Sequence, residues 1–211
     1  MKSKIKNQKN TKSLIVDTAL KLFNKMGLSK VTLRTIAKDM GISQGNLNYH
    51  FKKRKDIIET LYFQLVCKME QNFHSHSDEA LTIKNFFNRM QEIMKQFYAY
   101  RFFMLDFVQI MRENKVISSH YQQLTVLRQK QVMGIFKGMI DKGIMRNEEI
   151  KDEYLNLYIR MNIMGDFWLS SAITTQDLSP KLIDKYIHII FQEFYPYLTP
   201  KGKEQFSSIT S

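Results

Sequence analysis

The sequence predicts an all-α protein, with an N-terminal three-helix helix-turn-helix domain and a larger C-terminal helical domain. Three observations lead there. Among 211 residues there are only three prolines and eight glycines, and no alternating strand-like segment runs for long. Apolar residues recur at three- and four-residue steps, the spacing of one helix face. The stretch Val31–Phe51 carries two helix starts around a tight turn.

The elements follow in order. Residues 1–12 are polar and basic, and a mobile arm is expected there. A first helix covers about 13–26, with Ile15, Ala19, Leu22, Phe23 and Met26 on one stripe. Gly27 ends it, and Leu28 can fold back towards Phe23. Thr32 suits an N-cap, because its hydroxyl can accept from an otherwise unpaired first-turn N–H. Val31 and Ile36 can form a hydrophobic staple around that cap. Gly41 stops this second helix, since glycine enters the left-handed cap conformation without steric cost. Ser43 then caps a third helix, with Ile42 set against Leu47.

A fourth helix from about Lys55 to about His74 carries Ile57, Leu61, Leu65, Met69 and Phe73 at four-residue steps. It is long enough to leave the small domain, placed at 13–60, and to act as a lever into the next one, placed at 61–198. Further helices are expected at 81–99, 100–113, 118–142, 148–174 and 180–195. Gly143 marks one end, and Glu148 and Glu149 suit the positive start of the next helix. Ser179 and Pro180 open the last one. The tail 199–211 reads as polar and loose.

The 148–174 helix is apolar on more than one face. Ile150, Tyr154, Leu157, Met161, Met164 and Trp168 form one stripe, while Leu155, Ile159, Ile163 and Phe167 lie off it. The 180–195 helix similarly offers Ile183, Tyr186, Ile187, Ile190 and Phe194, with Ile189 and Phe191 beside them. Such helices are buried from two sides. A thick core is one way to do that; a homodimer with a four-helix interface is favoured, because helix-turn-helix proteins commonly read two half-sites with two copies.

Charge sharpens the reading. The chain carries a formal net charge of +12, and residues 1–60 hold 14 Lys/Arg against 4 Asp/Glu. Residues 61–211 hold 18 against 16, so nearly all the excess sits with the helix-turn-helix. A basic segment around that motif points to double-stranded DNA. In the third helix Leu47 and Phe51 face the core. Gln44, Gly45, Asn46 and Asn48 are then presented outward, and Gln and Asn can pair bidentately with adenine in the major groove. Tyr49, His50, Lys52, Lys53 and Arg54 suit phosphates, which position the protein without reading sequence. Thr32 and Arg34 complete the set of expected DNA contacts. The competing reading is a solvated polar face.

The run from Ile15-Val-Asp-Thr-Ala-Leu-Lys-Leu-Phe23 through Gly27, Thr32, Ile36-Ala37, Gly41-Ile-Ser43 and Leu47-Asn-Tyr-His-Phe51 resembles the N-terminal domain of TetR-family regulators. The match covers about 13–60. It implies an all-helical homodimer with a C-terminal ligand-binding and dimerisation domain, and a repressor released from its operator by a small molecule. Asn48 stands where a tyrosine is frequent, and Arg54 where a lysine usually contacts phosphate. Tyr100-Arg-Phe-Phe-Met-Leu-Asp106 is similar to a segment of one TetR subgroup.

For the effector the sequence suggests an apolar pocket from Phe103, Asp106, Phe107, Met111, Met164 and Trp168, Met and aromatics being adaptable linings. Taken singly, each is more simply core. Asp106 and Asp166 sit on greasy helices and need partners; Arg101, Arg112 and Arg160 are available, and a polar anchor for the effector is the second reading. An architectural DNA-binding protein without an effector is the alternative function.

Other classes find little support. No catalytic constellation, cofactor loop or metal set stands out; His74 and His76 are two apart, on different sides of a helix. The lone Cys67 is expected to be a small buried residue and fits a reducing cytoplasm. The start of the chain lacks an apolar signal core. Phe102–Met111 and Ile163–Ile173 are too short to span a bilayer.

Overall fold

The computed structural model describes residues 2–75 and 81–210. Among them are eleven α-helices, and pairing outside helices is limited to an isolated bridge between Met145 and Leu198. The helices are α1 (Lys2–Met26), α2 (Leu33–Asp39), α3 (Gln44–His50), α4 (Arg54–Ser75), α5 (Ile83–Ala99), α6 (Arg101–Leu105), α7 (Phe107–Glu113), α8 (Lys115–Asp141), α9 (Glu153–Ile173), α10 (Lys181–Gln192) and α11 (Pro200–Thr210). They group into two compact units. One joins Met1–Cys67 with Tyr100–Ser118; the other joins Lys68–Ala99 with Ser119–Ser211.

In the N-terminal unit the α1 stripe buries Ile15, Val16, Ala19 and Phe23, against a core that includes Ile36, Ala37, Leu47, Ile57 and Leu61. Removing such side chains from water is what makes these short helices stable, since seven residues in isolation do not hold a helix. The α6 segment belongs to this core too. Phe102 stacks on Phe23 with ring centroids 4.9 Å apart, and Phe103 stacks on Tyr62 at 5.4 Å. Burial raises the Tyr62 phenol to about 12. Asn114, buried, donates from Nδ2 to Glu59 Oε1 at 3.0 Å, while its Oδ1 accepts from the Ile117 N–H at 3.2 Å and so caps α8.

The C-terminal unit is built on aromatic rings. Phe86 and Phe87 of α5 pack with Phe191 and Phe194, and Phe136 of α8 joins them. Phe206 of α11 stacks on Phe191 at 5.4 Å, nearly parallel. The loop after α8 and the segment before α11 are sewn together: Arg146 N–H donates to Tyr197 O at 2.9 Å, and Thr199 N–H donates to Ile144 O at 3.1 Å.

Several expectations are corrected. The first helix begins at Lys2, not residue 13, so the basic arm is written as helix; with no proline or glycine in it, an established helix extends at little cost. The single helix expected over 100–113 breaks at Asp106, whose φ and ψ are −103° and 18°. Helix α9 starts at Glu153 rather than 148, after Asp152 in the left-handed region at φ 58°. Glu148 acts from outside the helix, its Oε1 accepting from the Tyr154 N–H at 2.8 Å, and Ile150 is left exposed. The loose tail is α11: Thr199 Oγ1 accepts from the Gly202 N–H at 3.2 Å and Pro200 opens the helix. Cys67 is exposed, not buried. His76 lies outside the described residues, as does the His74 side chain.

Gly202 gives a direct test of that corner. It is buried, and an added Cβ would meet the Ile144 carbonyl oxygen well inside van der Waals contact. Because backbone must move, Gly202→Ala is expected to destabilise the fold by about 1–3 kcal/mol or more. At Gly138 a Cβ meets only the Leu81 Cδ2 at 2.7 Å, the end of a flexible side chain. Gly138→Ala is expected to be near neutral, with a helix-propensity gain of up to about 1 kcal/mol against the shift. Urea unfolding of both variants measures the contrast; equal midpoints would show that α11 does not press on the loop.

Candidate nucleic-acid interface

Local capping sets the geometry of α2 and α3. The Thr32 hydroxyl accepts from the Thr35 N–H at 3.2 Å, and Thr35 Oγ1 accepts from the Thr32 N–H at 2.8 Å, a reciprocal capping box. The turn then closes: Gly41 sits at φ 65°, its N–H donating to Lys38 O at 3.2 Å, while the Ile42 N–H donates to Ala37 O at 3.1 Å. Two residues on, Ser43 Oγ accepts from the Asn46 N–H at 3.1 Å and starts α3. Leu47 is 0% exposed and Phe51 is buried, so α3 is fastened by that side.

The opposite side is open. Gln44, Gly45, Asn46, Lys52 and Lys53 are exposed, and so are Thr32 and Arg34 at the start of α2. Tyr49 is 67% exposed, its ring edge-on to His50 at 5.2 Å. His50 and Asn48 are half-buried, and the Asn48 Oδ1 has no hydrogen-bond partner among the described residues. Lys53 uses its backbone N–H on Asp56 Oδ2 at 2.9 Å, which leaves its ammonium to solvent while its main chain starts α4. Lys12 of α1 lies over the Phe51 ring at 5.3 Å.

Arg54 is placed differently from the other cations. Its Nη1 donates to Leu28 O at 2.8 Å and to Val31 O at 3.2 Å, spanning the corner between α1 and α2. The carboxylate that belongs with it is Asp106: its Oδ2 accepts from the Leu28 N–H at 3.2 Å. Burial raises the Asp106 carboxyl above its ordinary range, against the lowering effects of the Leu28 N–H and the Arg54 charge.

The six residues expected around an effector do not gather in one unit. Phe103 and Phe107 meet edge-to-face at 5.9 Å, and with Asp106 and half-buried Met111 they belong to the N-terminal unit. Met164 and Trp168 belong to the C-terminal unit, where Trp168 packs on Tyr186 at 5.2 Å. Trp168 is buried with its Nε1–H unpaired among the described residues. Where arginines were expected beside the two aspartates, the groups that bind them are a backbone N–H and a phenol. Arg160 donates to the Tyr197 hydroxyl at 2.6 Å, whereas Asp166 Oδ2 accepts from the Tyr121 hydroxyl at 2.8 Å. Burial pushes the Asp166 carboxyl up to about 6, held down in part by that phenol. Tyr158 of the same helix reaches Thr125 O of α8 at 3.3 Å, and Arg128 of α8 pairs with Glu70 of α4.

Sequence reasoning missed Tyr121, for which nothing in the sequence signals a pairing across 45 residues. It also missed Thr35, although a hydroxyl three residues after a threonine cap is a visible signal. Among the described residues no group of three or more His, Cys, Asp or Glu is placed to hold a metal ion, and no helix is long and apolar enough to cross a membrane.

A capped helix-turn-helix with its polar helix face open and a cationic stretch behind it defines a DNA-binding protein. Comparison with known proteins gives the family. Residues 15–61 match the family described as bacterial regulatory proteins, tetR family, and residues 64–206 match the one described as bacterial transcriptional repressor, TetR. The chain belongs to the TetR family of transcriptional regulators. The negative regulator of the biofilm operon icaADBC, IcaR of Staphylococcus aureus, is 36% identical over 76 residues, which is 33% of this chain and 41% of that protein. The chain therefore matches about two fifths of the length of these curated relatives. A TetR-family regulator from Marinobacter aquaeolei VT8 superposes with a TM-score of 0.86 at 23% identity, covering 94% of this chain and 96% of its own. A regulator from Saccharomonospora viridis, solved in complex with choline, superposes at 0.69 with 16% identity over 89% and 96%. At these identities the two structures speak for the fold.

Proposed function

We propose that the protein is a repressor that binds an operator as a homodimer and leaves it when a small molecule occupies the C-terminal unit. The observation that carries the DNA half is the open face of α3 opposite a fully buried Leu47. Gln44 and Asn46, exposed on that face, read base edges, with Asn48 beside them. Thr32, Arg34, Tyr49, His50, Lys52 and Lys53 hold phosphates. Arg54 supports them from behind through the α1–α2 corner.

Dimerisation is supported by α9. Ile159, Ile163 and Phe167 recur at four-residue steps and are 44%, 56% and 40% exposed, with Ile189 of α10 also exposed. A stripe of that size left in water favours a second copy, and a symmetric pair presents two α3 helices to successive major grooves. Those grooves lie about 34–36 Å apart, so a ligand that prefers another spacing of the two heads empties the operator by population shift.

The effector is a small, mainly apolar molecule acting in the cytoplasm, where the DNA is. Its polar anchor is Asp166 with Tyr121, because that half-buried carboxylate has a neutral hydroxyl as its hydrogen-bond donor. The relative IcaR is a negative regulator, which supports the repressor half of this reading. An architectural protein is the competing case, and specificity separates the two. In a competition gel shift against fragments of the source genome, at least one fragment is expected to bind about 10³-fold more tightly than bulk DNA at 0.15 M salt. Equal competition by every fragment rejects the repressor.

A further inference from the structure

The corner between α1 and α2 turns on one residue, Leu28, held at both its N–H and its carbonyl. Leu28 follows Gly27, which sits at φ 82° and has nothing within 4 Å of where a Cβ would be. The Gly27 N–H closes α1 on Phe23 O at 2.9 Å, and the buried Leu28 side chain packs inward. The two peptides that flank Leu28 are each held by a charged group from elsewhere in the chain. Asp106 Oδ2 takes the Leu28 N–H at 3.2 Å, and Arg54 Nη1 takes the Leu28 carbonyl at 2.8 Å and the Val31 carbonyl at 3.2 Å. Val31 is the residue before the Thr32 cap, so the same guanidinium reaches the start of α2.

A second hydrogen bond ties the same segment to α1: Asn24 Oδ1 accepts from the Phe102 N–H at 3.0 Å. Asn24 and Leu28 are four residues apart, and Phe102 and Asp106 are four apart. The two pairs run side by side, with the Phe23–Phe102 stack at the Asn24 end. The rings and the Asn24 bond already attach α6 to α1. What Asp106 adds is a hold on a loop peptide, at the cost of breaking the helix that would otherwise run through it.

We propose that Asp106 is a positioning residue for operator binding. With Arg54 it clamps Leu28 at its N–H and its carbonyl, and the clamp fixes the direction in which α2 and α3 leave α1. The inference rests on the operator reading above and extends it. It gives segment 100–118 a handle on the reading helices beside the one that Arg54 supplies from the start of α4: any rearrangement that withdraws Asp106 releases the Leu28 N–H and leaves the corner held from one side only. Non-specific binding can use phosphates in many registers, whereas base contacts need one geometry of the reading helix. Loss of the clamp therefore costs specific affinity and spares non-specific affinity.

The test uses the full chain, the tightest duplex from the fragment competition and a scrambled duplex of equal length. D106A is expected to lower affinity for the specific duplex at least about tenfold and to leave the scrambled duplex within about twofold, a separation expected when only base contacts are lost. D106N keeps an acceptor for the Leu28 N–H and is expected to restore most of the affinity. D106E keeps the charge but moves the acceptor by one methylene, and is expected to behave like D106A should D106A not fold. Hydrogen exchange at the Leu28 amide, read by mass spectrometry, is expected to rise in D106A and D106E and not in D106N. Specific affinity within twofold of the parent in D106A, equal losses on both duplexes, or D106N as poor as D106A each overturns the proposal. If the parent chain prefers no duplex, the operator reading fails, and the proposal with it; faster Leu28 exchange in D106A then assigns the clamp to the fold alone.

Discussion

Tyr49, Lys52 and Lys53 replaced together by alanine are expected to weaken binding to a specific duplex by roughly two orders of magnitude at 0.15 M salt. The three side chains are exposed beside α3. Their loss leaves Leu47 and Phe51 buried and the Ser43 cap intact, so the unfolding midpoint is expected to stay within about 1 °C. The salt dependence is the sharper reading. Each lysine that neutralises a phosphate releases about 0.9 of a counterion, so removing two flattens the slope of log K against log [salt] by about 2. A titration from 50 to 300 mM salt measures it. An unchanged slope would place the phosphate contacts on other cations, and the adjacent Arg34 and Lys55 would be the next to replace.

The helix-turn-helix was legible because its determinants are local. Thr32 and Thr35, Gly41 with Ala37 and Lys38, and Ser43 with Asn46 all act within five residues of one another. A cap, a left-handed glycine and a second cap specify two helices before any tertiary contact is known. The family resemblance extended this to an all-α chain, and the matches over 15–61 and 64–206 agree with it. Helix α11 carries a signal of the same kind: Thr199-Pro200 repeats the cap-and-proline form of Ser179-Pro180, and the polar composition around it masks a helix. The features that escaped depend on long separations. Asp106 breaks a helix because its partner is Leu28, 78 residues earlier, and Arg54 turns inward because Leu28 and Val31 offer carbonyls. From the sequence, Arg54 is one more cation in the run Lys52–Lys55. The effector residues show the same limit, since helical spacing groups residues on one helix but cannot say which compact unit that helix joins.

Asp166→Asn is expected to make the protein more stable at neutral pH. The carboxyl titrates at about 6 in the fold, above its ordinary 3.8, because burial disfavours its charge more than the Tyr121 hydroxyl favours it. The folded state therefore binds this proton more tightly than the unfolded chain does. Below pH 3.8 the group is protonated in both states and carries no penalty. As pH rises from about 4 to about 6 the penalty grows, and above 6 it is constant, at about 3 kcal/mol. Asparagine keeps an oxygen for the Tyr121 hydroxyl and has no charge to bury. D166N should gain about 2–3 kcal/mol at pH 7, or roughly 5–10 °C in midpoint, and should lose the falling limb between pH 4 and 6. Tyr121→Phe should do the reverse at pH 7, because it removes the hydrogen bond that holds the carboxylate down. Urea unfolding at pH 4, 5, 6 and 7 separates the three chains. A D166N no more stable than the parent at pH 7 would mean that the carboxylate is not paying a burial penalty, and Asp166 would then lose its claim as the effector's anchor. A stabilised D166N supports that claim, since a residue that weakens the fold it sits in is accounted for by a ligand that the charge receives.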